Sequence, residues 1–440
     1  MEKNVDENKV KETKENGKEE ITSSVLEKHP KDERQEEEYR REEKESTSKE
    51  TKEEVEPTQT ERLDELSQKI FGKPSKDIKY VYVTNYIHQQ LLEEELARTG
   101  LYQWVNVFKG EVKYPRDIED YNDYDIVHVN MSTQDIHLAA NVRREIKEDS
   151  NTRLIVNNDY TTEMWGSAFG HPDTMSREIM NADMIFGTEY FQVTALAELV
   201  DRKVFIIPHP ADVKRLKSLP ELPKKSIIST IWRRYDNNSY IPSLVTRNLG
   251  FTTQLIGYEK SVDSKTWLTT TLFDYVFAGT NYFDFCDQLR ESEVVYDPFT
   301  FHSYNRAIVD CAALGVPVVG SNRTQSINVC YPFTKVDPYD VTAARRMIEK
   351  LATDDVFKKK VIDFAREKVE YYNHPNSMEK YLMALDESID EAKEEKKVRE
   401  IIKPTVKDKG RGNDVNMQLA QEKTVKNVKE KKFWKNKRNN

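Results

Sequence analysis

Between Asp297 and Gly320 the chain reads DPFTFHSYNRAIVDCAALGVPVVG. This is a strand end, a loop, a helix starting near Ser303-Tyr304-Asn305-Arg306, and a second apolar strand entered through Gly315-Val316-Pro317. The first N–H groups of a helix have no partner within it and carry the positive end of its dipole. A helix start that follows a strand and loop is therefore a seat for an anion. Ser303, Tyr304 and Asn305 place hydroxyl and amide groups at that seat, Arg306 adds a guanidinium, and Asp310 follows one to two turns on. The set suits a nucleotide diphosphate, with Asp310 taking the ribose hydroxyls. The same residues also fit an ordinary α/β unit with an empty helix end.

The remaining chemistry-bearing residues are sparse. Asp159 closes Asn157-Asn158-Asp159 at the end of an apolar run. It is suited to orienting or deprotonating a hydroxyl, or to forming a turn. His128 and His137 read as structural. The run DYNDYD (Asp120–Asp125) imitates an Asp-x-Asp metal motif but lies just before a strand, which makes it a loop and strand start. Cys286, Cys311 and Cys330 form no CxxC pair and have no companion histidine spacing, so neither a disulfide framework nor a zinc site is expected. No Gly-x-Gly-x-x-Gly or phosphate-loop motif occurs.

The elements that must position these residues alternate. KYVYVTNY, QWVNVFKG, DYDIVHVNMS, TRLIVNNDY, ADMIFGTEY and KVFIIPHP read as strands of a first unit, with helices between them. KSIISTIW, TTQLIGYE, EVVYDP and VPVVGS repeat the scheme, and helices follow over 341–351 and 356–371. Short apolar strands alternating with helices predict an α/β fold with parallel sheets covered on both faces. Residues 376–395 carry Met378, Tyr381, Leu382, Leu385 and Ile389 on one helical stripe. Prolines at Pro208-His209-Pro210 mark a hinge, and open α/β sheets bind ligands beyond the carboxyl ends of their strands. Two such edges facing each other predict a cleft site.

Charge sits mainly at the two ends of the 440 residues. The chain is 33% charged with net charge −9, yet the first 60 residues are acidic and the stretch from Lys396 is basic, ending KEKKFWKNKRNN. Neither end holds enough apolar surface to offset its ordering entropy, so both are expected to be disordered. The predicted layout is a charged tail over 1–75, a first Rossmann-like domain over 76–208, a second over 209–375, an amphipathic helix over 376–395 and a basic tail over 396–440. No apolar run is long enough for a membrane span, and no signal-peptide core is seen. A cytoplasmic protein is expected, with the basic tail able to hold it at an anionic surface.

In order and spacing, residues 77–385 resemble glycosyltransferases of the GT-B fold, of the "glycosyl transferases group 1" (family-4-like) type. KVFIIPHPADVKRLKSL resembles that family's interdomain segment, ADMIFGTEYF the strand before it, DCAALGVPVVGS its Gly-x-Pro-Val-Val block, and KVDPYDVTAARRMIEKLATD the helix that follows. The resemblance implies two Rossmann-like domains facing across a cleft. It also implies transfer of a hexose, with UDP-glucose the default donor, to a hydroxyl, with retention and without a metal or cofactor; the nucleotide-sugar is a co-substrate. His302 and Asp310 stand where the family has two glutamates, and Arg233-Arg234 where it has an arginine and then a lysine on the diphosphate. The departures put a neutral imidazole at the sugar-contacting position and leave out the lysine. Donor binding is thus expected at Arg233, Arg234, Ser303, Tyr304, Asn305, Arg306 and Asp310. His302 and Asp159 would be catalytic, with Asn85, His88 and Asn158 on the acceptor side. A glycan precursor, lipid carrier, protein or hydroxylated DNA base would serve as acceptor. A catalytically silent GT-B scaffold with partner-recruiting tails, or an epimerase on the same fold, accounts for the same features.

Overall fold

The computed structural model describes residues 57–86, 99–132, 135–232, 240–257, 272–278 and 281–402. The first lobe is built on Tyr80–Val83 (β1), Glu111–Lys113 (β2), Ile126–Met131 (β3), Arg153–Asn158 (β4), Met184–Gly187 (β5) and Phe205–Ile206 (β6). The second is built on Ile227–Trp232 (β7), Thr252–Gly257 (β8), Tyr275–Ala278 (β9), Val294–Asp297 (β10), Val318–Ser321 (β11) and Lys335–Val336 (β12). All pairings are parallel, in the orders β2-β1-β3-β4-β5-β6 and β12-β11-β10-β7-β8-β9. The α/β architecture with two Rossmann-like sheets is the one expected from the alternation of elements.

The helices that matter for the site are Gln59–Phe71 (α1), Gln103–Phe108 (α2), Tyr190–Val200 (α3), Tyr282–Glu291 (α4), Arg306–Leu314 (α5) and His374–Ile402 (α6). Strand alternation divides the first sheet's side chains between two cores. Val81, Val83, Val127, Val129, Leu154 and Val156 face one layer of helices. Tyr80, Tyr82, Ile126, Ile155, Met184 and Phe186 face the other, which is filled by Trp104 and Phe108 of α2 and by Tyr381, Leu382 and Leu385 of α6. The stripe foreseen over 376–395 is therefore a component of the first lobe's core. The chain crosses between the sheets twice, through 207–212 and through 369–374, and Ala211 N donates to Tyr372 O at 2.8 Å where the crossings meet.

Two expectations are corrected. Gln103–Phe108, read as a strand from its aromatic and β-branched content, is a helix ended by Lys109 at φ 51°. Trp104 and Phe108, one turn apart, both point into the core, and the actual strand is the short edge β2 that follows. The tail assigned to 1–75 is ordered at its end. Thr58 caps α1 with a reciprocal Thr58–Glu61 capping box, and α1 lies along α6 with Arg62 bonded to Glu379 at 3.0 Å. Residues 1–56 and 403–440, the bulk of the two charged tails, lie outside the described residues. Among the described residues no helix is long and apolar enough to cross a membrane.

Candidate active site

In the first sheet the register Asn158↔Gly187 brings β4 and β5 to the same edge, and their following loops leave side by side. In the second, β10 pairs Asp297 with Gly320 and releases the loop to α5 toward that edge. The three loops enclose a pocket lined by Asp159, Thr161, Thr188, Glu189 and Gln192 from the first lobe, and by Phe299, His302, Ser303, Tyr304 and Asn305 from the second. Contacts between the lobes hold it together. The Phe191 and His302 rings are 3.8 Å apart, Glu163 Oε1 lies 3.5 Å from His302 N, and Tyr304 Oη donates to His209 O at 2.7 Å.

Asn305 sits at the head of α5 in the left-handed region, φ 57°, and makes no side-chain cap bond to its own helix. A non-glycine residue there is uncommon, with asparagine among the better tolerated. Its side chain is fully buried, and neither Oδ1 nor Nδ2 has a hydrogen-bond partner; Ser303 Oγ and Thr161 Oγ1 share that condition. Buried polar groups are nearly always satisfied, and leaving one unmade costs about 1–3 kcal/mol. Four such atoms gather around the pocket.

Arg306 and Asp310 pair with each other. Being four residues apart on α5, they meet on one helix face: Arg306 Nε donates to Asp310 Oδ1 at 2.8 Å, with side chains 6% and 0% exposed. Tyr282 of α4 donates to the same carboxylate oxygen at 3.1 Å, and Arg306 Nη1 donates to Pro210 O at 3.0 Å. Asp310 is wholly buried and is not among the residues that line the pocket. The pair ties α5 to the interlobe crossing through the Pro210 carbonyl. Asn158 is also turned inward, its Oδ1 accepting Tyr160 N at 2.9 Å and Gln192 Nε2 at 3.1 Å, so it shapes a loop and does not line the pocket. Asn85 is exposed at the end of β1 and donates its N–H to Asp135 at 2.7 Å, away from the pocket lining. His88, Arg233 and Arg234 lie outside the described residues.

The electrostatics of the pocket are set by burial. Desolvation draws the His302 imidazole below its usual pKa, opposed by Glu163 and reinforced by Arg323. Burial raises Glu189, which is held down in part by the N–H groups of Phe191 and Gln192 that it caps at the start of α3. His128 is a core residue, as read from sequence; it joins Tyr80 Oη to Asn157 Oδ1, and burial lowers it to about 3. Asp120 caps a short helical turn and Asp125 receives the Lys79 N–H at the start of the β1–β3 pairing, which fits the loop-and-strand reading of DYNDYD.

Thr161, Thr188, Glu189, Gln192 and Phe299 were not foreseen as pocket residues. The signal for them was positional, since all but Gln192 lie within a few residues after β4, β5 or β10. His209, read only as part of a hinge, has both ring nitrogens bonded beside the pocket, to Trp104 and to Asp159.

The chain has the GT-B fold. Among solved structures it superposes on the E. coli trehalose-6-phosphate protein bound with UDP-2-fluoro glucose, with a TM-score of 0.53, 12% identity, and 70% of this chain against 99% of that one. It superposes likewise on Anabaena HepE in complex with UDP and glucose, with a TM-score of 0.52, 11% identity, and 72% against 100%. The S. aureus TarM complex with fondaparinux, α-GlcNAc-glycerol and UDP matches at 16% identity and a TM-score of 0.49 over 62% of this chain, which spans 57% of that longer one. No protein-family model and no curated protein sequence matches the chain.

Proposed function

We propose that the protein is a glycosyltransferase that moves a hexose from a nucleotide-sugar to a hydroxyl acceptor, with UDP-glucose the first donor to test. The observation that carries this reading is the head of α5, where a buried left-handed Asn305 offers an unsatisfied amide beside the helix N-terminus, in a pocket lined from both lobes. A diphosphate seated there gains from the helix end, about 0.3–1 kcal/mol when exposed and up to about 2 when partly buried. The UDP complexes of the E. coli and Anabaena structures on the same fold support this choice of ligand.

The donor sugar would then project toward His302 and Asp159, which line the pocket from opposite lobes. Transfer would proceed with retention and without a metal: the acceptor oxygen bonds to the anomeric carbon, the diphosphate leaves with the bonding electrons, and the acceptor proton passes to the leaving phosphate. Arg233 and Arg234 are proposed to neutralise that phosphate. The acceptor, whether glycan, lipid carrier, protein or hydroxylated DNA base, is to be found by screening.

The test is thermal unfolding with UDP and UDP-glucose. A ligand at a hundred times its Kd stabilises by about 2.7 kcal/mol. Asn305→Asp keeps the size and the left-handed tolerance but sets a carboxylate against the phosphate. It should abolish the UDP shift; the ligand-free Tm should drop, because a carboxylate at that buried position has no partner, and a retained cooperative transition shows that the variant folds. A wild-type protein unmoved by UDP, or an Asn305→Asp variant that still responds, overturns the reading.

A further inference from the structure

His209 lies in the crossing between the lobes, yet its side chain is 2% exposed and both ring nitrogens are engaged. Trp104 Nε1 donates to His209 Nδ1 at 3.1 Å, and His209 Nε2 lies 3.0 Å from Asp159 Oδ1. An indole N–H can only donate. Nδ1 must therefore be the acceptor, so Nε2 carries the hydrogen and gives it to Asp159. The tautomer follows from the partners, with no choice left to the ring.

The seat is tightly built. Phe186 and Tyr304 meet the imidazole edge-on, with centroids at 6.5 and 5.8 Å. A Cβ on Gly100 would stand 2.5 Å from His209 Cβ, which only a glycine avoids. The His209 carbonyl also receives the Tyr304 hydroxyl from the loop that carries Asn305. One residue thus holds the first lobe's pocket acid with its side chain and the second lobe's donor loop with its backbone.

We propose that His209 is a positioning residue that fixes Asp159 against the donor loop, so that the Asp159 carboxylate, 41% exposed on the pocket, accepts the incoming hydroxyl and aims its oxygen at the anomeric carbon. This rests on the glycosyl-transfer reading above. Asp159 orients the nucleophile through a hydrogen bond, and the departing diphosphate still takes the proton. Precise placement of a reacting group accounts for large rate factors, and small misplacements lose them.

The experiment uses the full chain and follows UDP release from UDP-glucose into water, with UDP thermal shifts as the binding control. His209→Leu should lower kcat at least tenfold with the KM for UDP-glucose within twofold. His209→Gln, which returns an N–H donor near the Nε2 position, should recover most of that loss. Gly100→Ala, which displaces the ring without deleting it, should lower kcat in the same way should the leucine variant fail to fold. Long-range ¹H–¹⁵N correlation of the imidazole should show hydrogen on Nε2 in the wild type, with the tautomers mixed in Trp104→Phe. An Nδ1–H tautomer overturns the proposal whatever the turnover. So does wild-type kcat in His209→Leu, or a glutamine variant as slow as the leucine one, while UDP still binds. A wild-type protein that binds no UDP instead removes the glycosyl-transfer reading beneath it.

Discussion

Replacing Arg306 by methionine removes the guanidinium that faces the buried Asp310 carboxylate. Asp310 is wholly buried and Arg306 nearly so, and Arg306 bonds Asp310, the Tyr282 hydroxyl and the Pro210 carbonyl. Deleting one partner of a buried pair costs about 3–5 kcal/mol, because the remaining charge stays out of water without its counterion. The Tyr282 hydroxyl still donates to the carboxylate at 3.1 Å and offsets only part of this. Asp310→Leu should cost a similar amount through the stranded guanidinium. The double variant Arg306→Met with Asp310→Leu strands neither charge, and such apolar replacements are often neutral or stabilising. It should therefore recover most of either single loss. Urea unfolding reads this as a midpoint shift, roughly 1–2 M for each single variant if m is about 2–3 kcal/mol/M. A cost below about 1 kcal/mol for Arg306→Met, or a double variant that simply sums the singles, would refute the reasoning. Neither residue lines the pocket, so Asp310→Asn should leave the UDP thermal shift within a factor of two in affinity. A lost shift would return Asp310 to direct donor contact.

Two further outcomes concern the first lobe. Burial lowers His128 to about 3, below its unfolded value near 6.5, so the native state refuses a proton that the unfolded chain accepts. Stability should therefore fall as pH drops from about 6.5 toward 3, by up to about 1.4 kcal/mol per unit from this group. Urea midpoints for wild type and His128→Gln across pH 6.5 to 4.5 check it: the variant's slope should be flatter, and parallel curves would count against the assignment. Tyr381 of α6 is wholly buried with its ring 4.9 Å from Trp104 and 5.1 Å from Phe108. Tyr381→Ala should cost about 3–5 kcal/mol in the same assay, and less than 1 would mean that α6 is not part of that core.

The parallel sheets were legible because buried strands leave runs such as YVYV, IVHVNM and VPVV that few other elements imitate. The loop bearing Asn305 was legible for the same reason, being bounded by β10 and a glycine-ended helix. Gln103–Phe108 was misread because six residues with Trp, two Val and Phe satisfy strand composition, and periodicity decides little over so short a span. α1 was hidden by the charge around it; its capping box was present in the sequence, but the partner face on α6 lies some 317 residues away. Residue type announced Asp310 and Arg306, while their facing direction depends on where α5 turns. For His209 the flanking prolines explained its backbone and masked its side chain, whose partners are 105 and 50 residues earlier.

The lobe begun first is finished last. Tyr80, Trp104 and Phe108 receive their cover from Tyr381 and Leu385, about 300 positions downstream. At the usual elongation pace of about 5–20 residues per second, that apolar face waits some 15–60 s after β1 leaves the ribosome. In that interval the second lobe can close on its own core, because its helices are local to it. The order of synthesis and the order of completion are thus inverted, and during the delay the nascent first sheet is the surface that a chaperone would have to shelter.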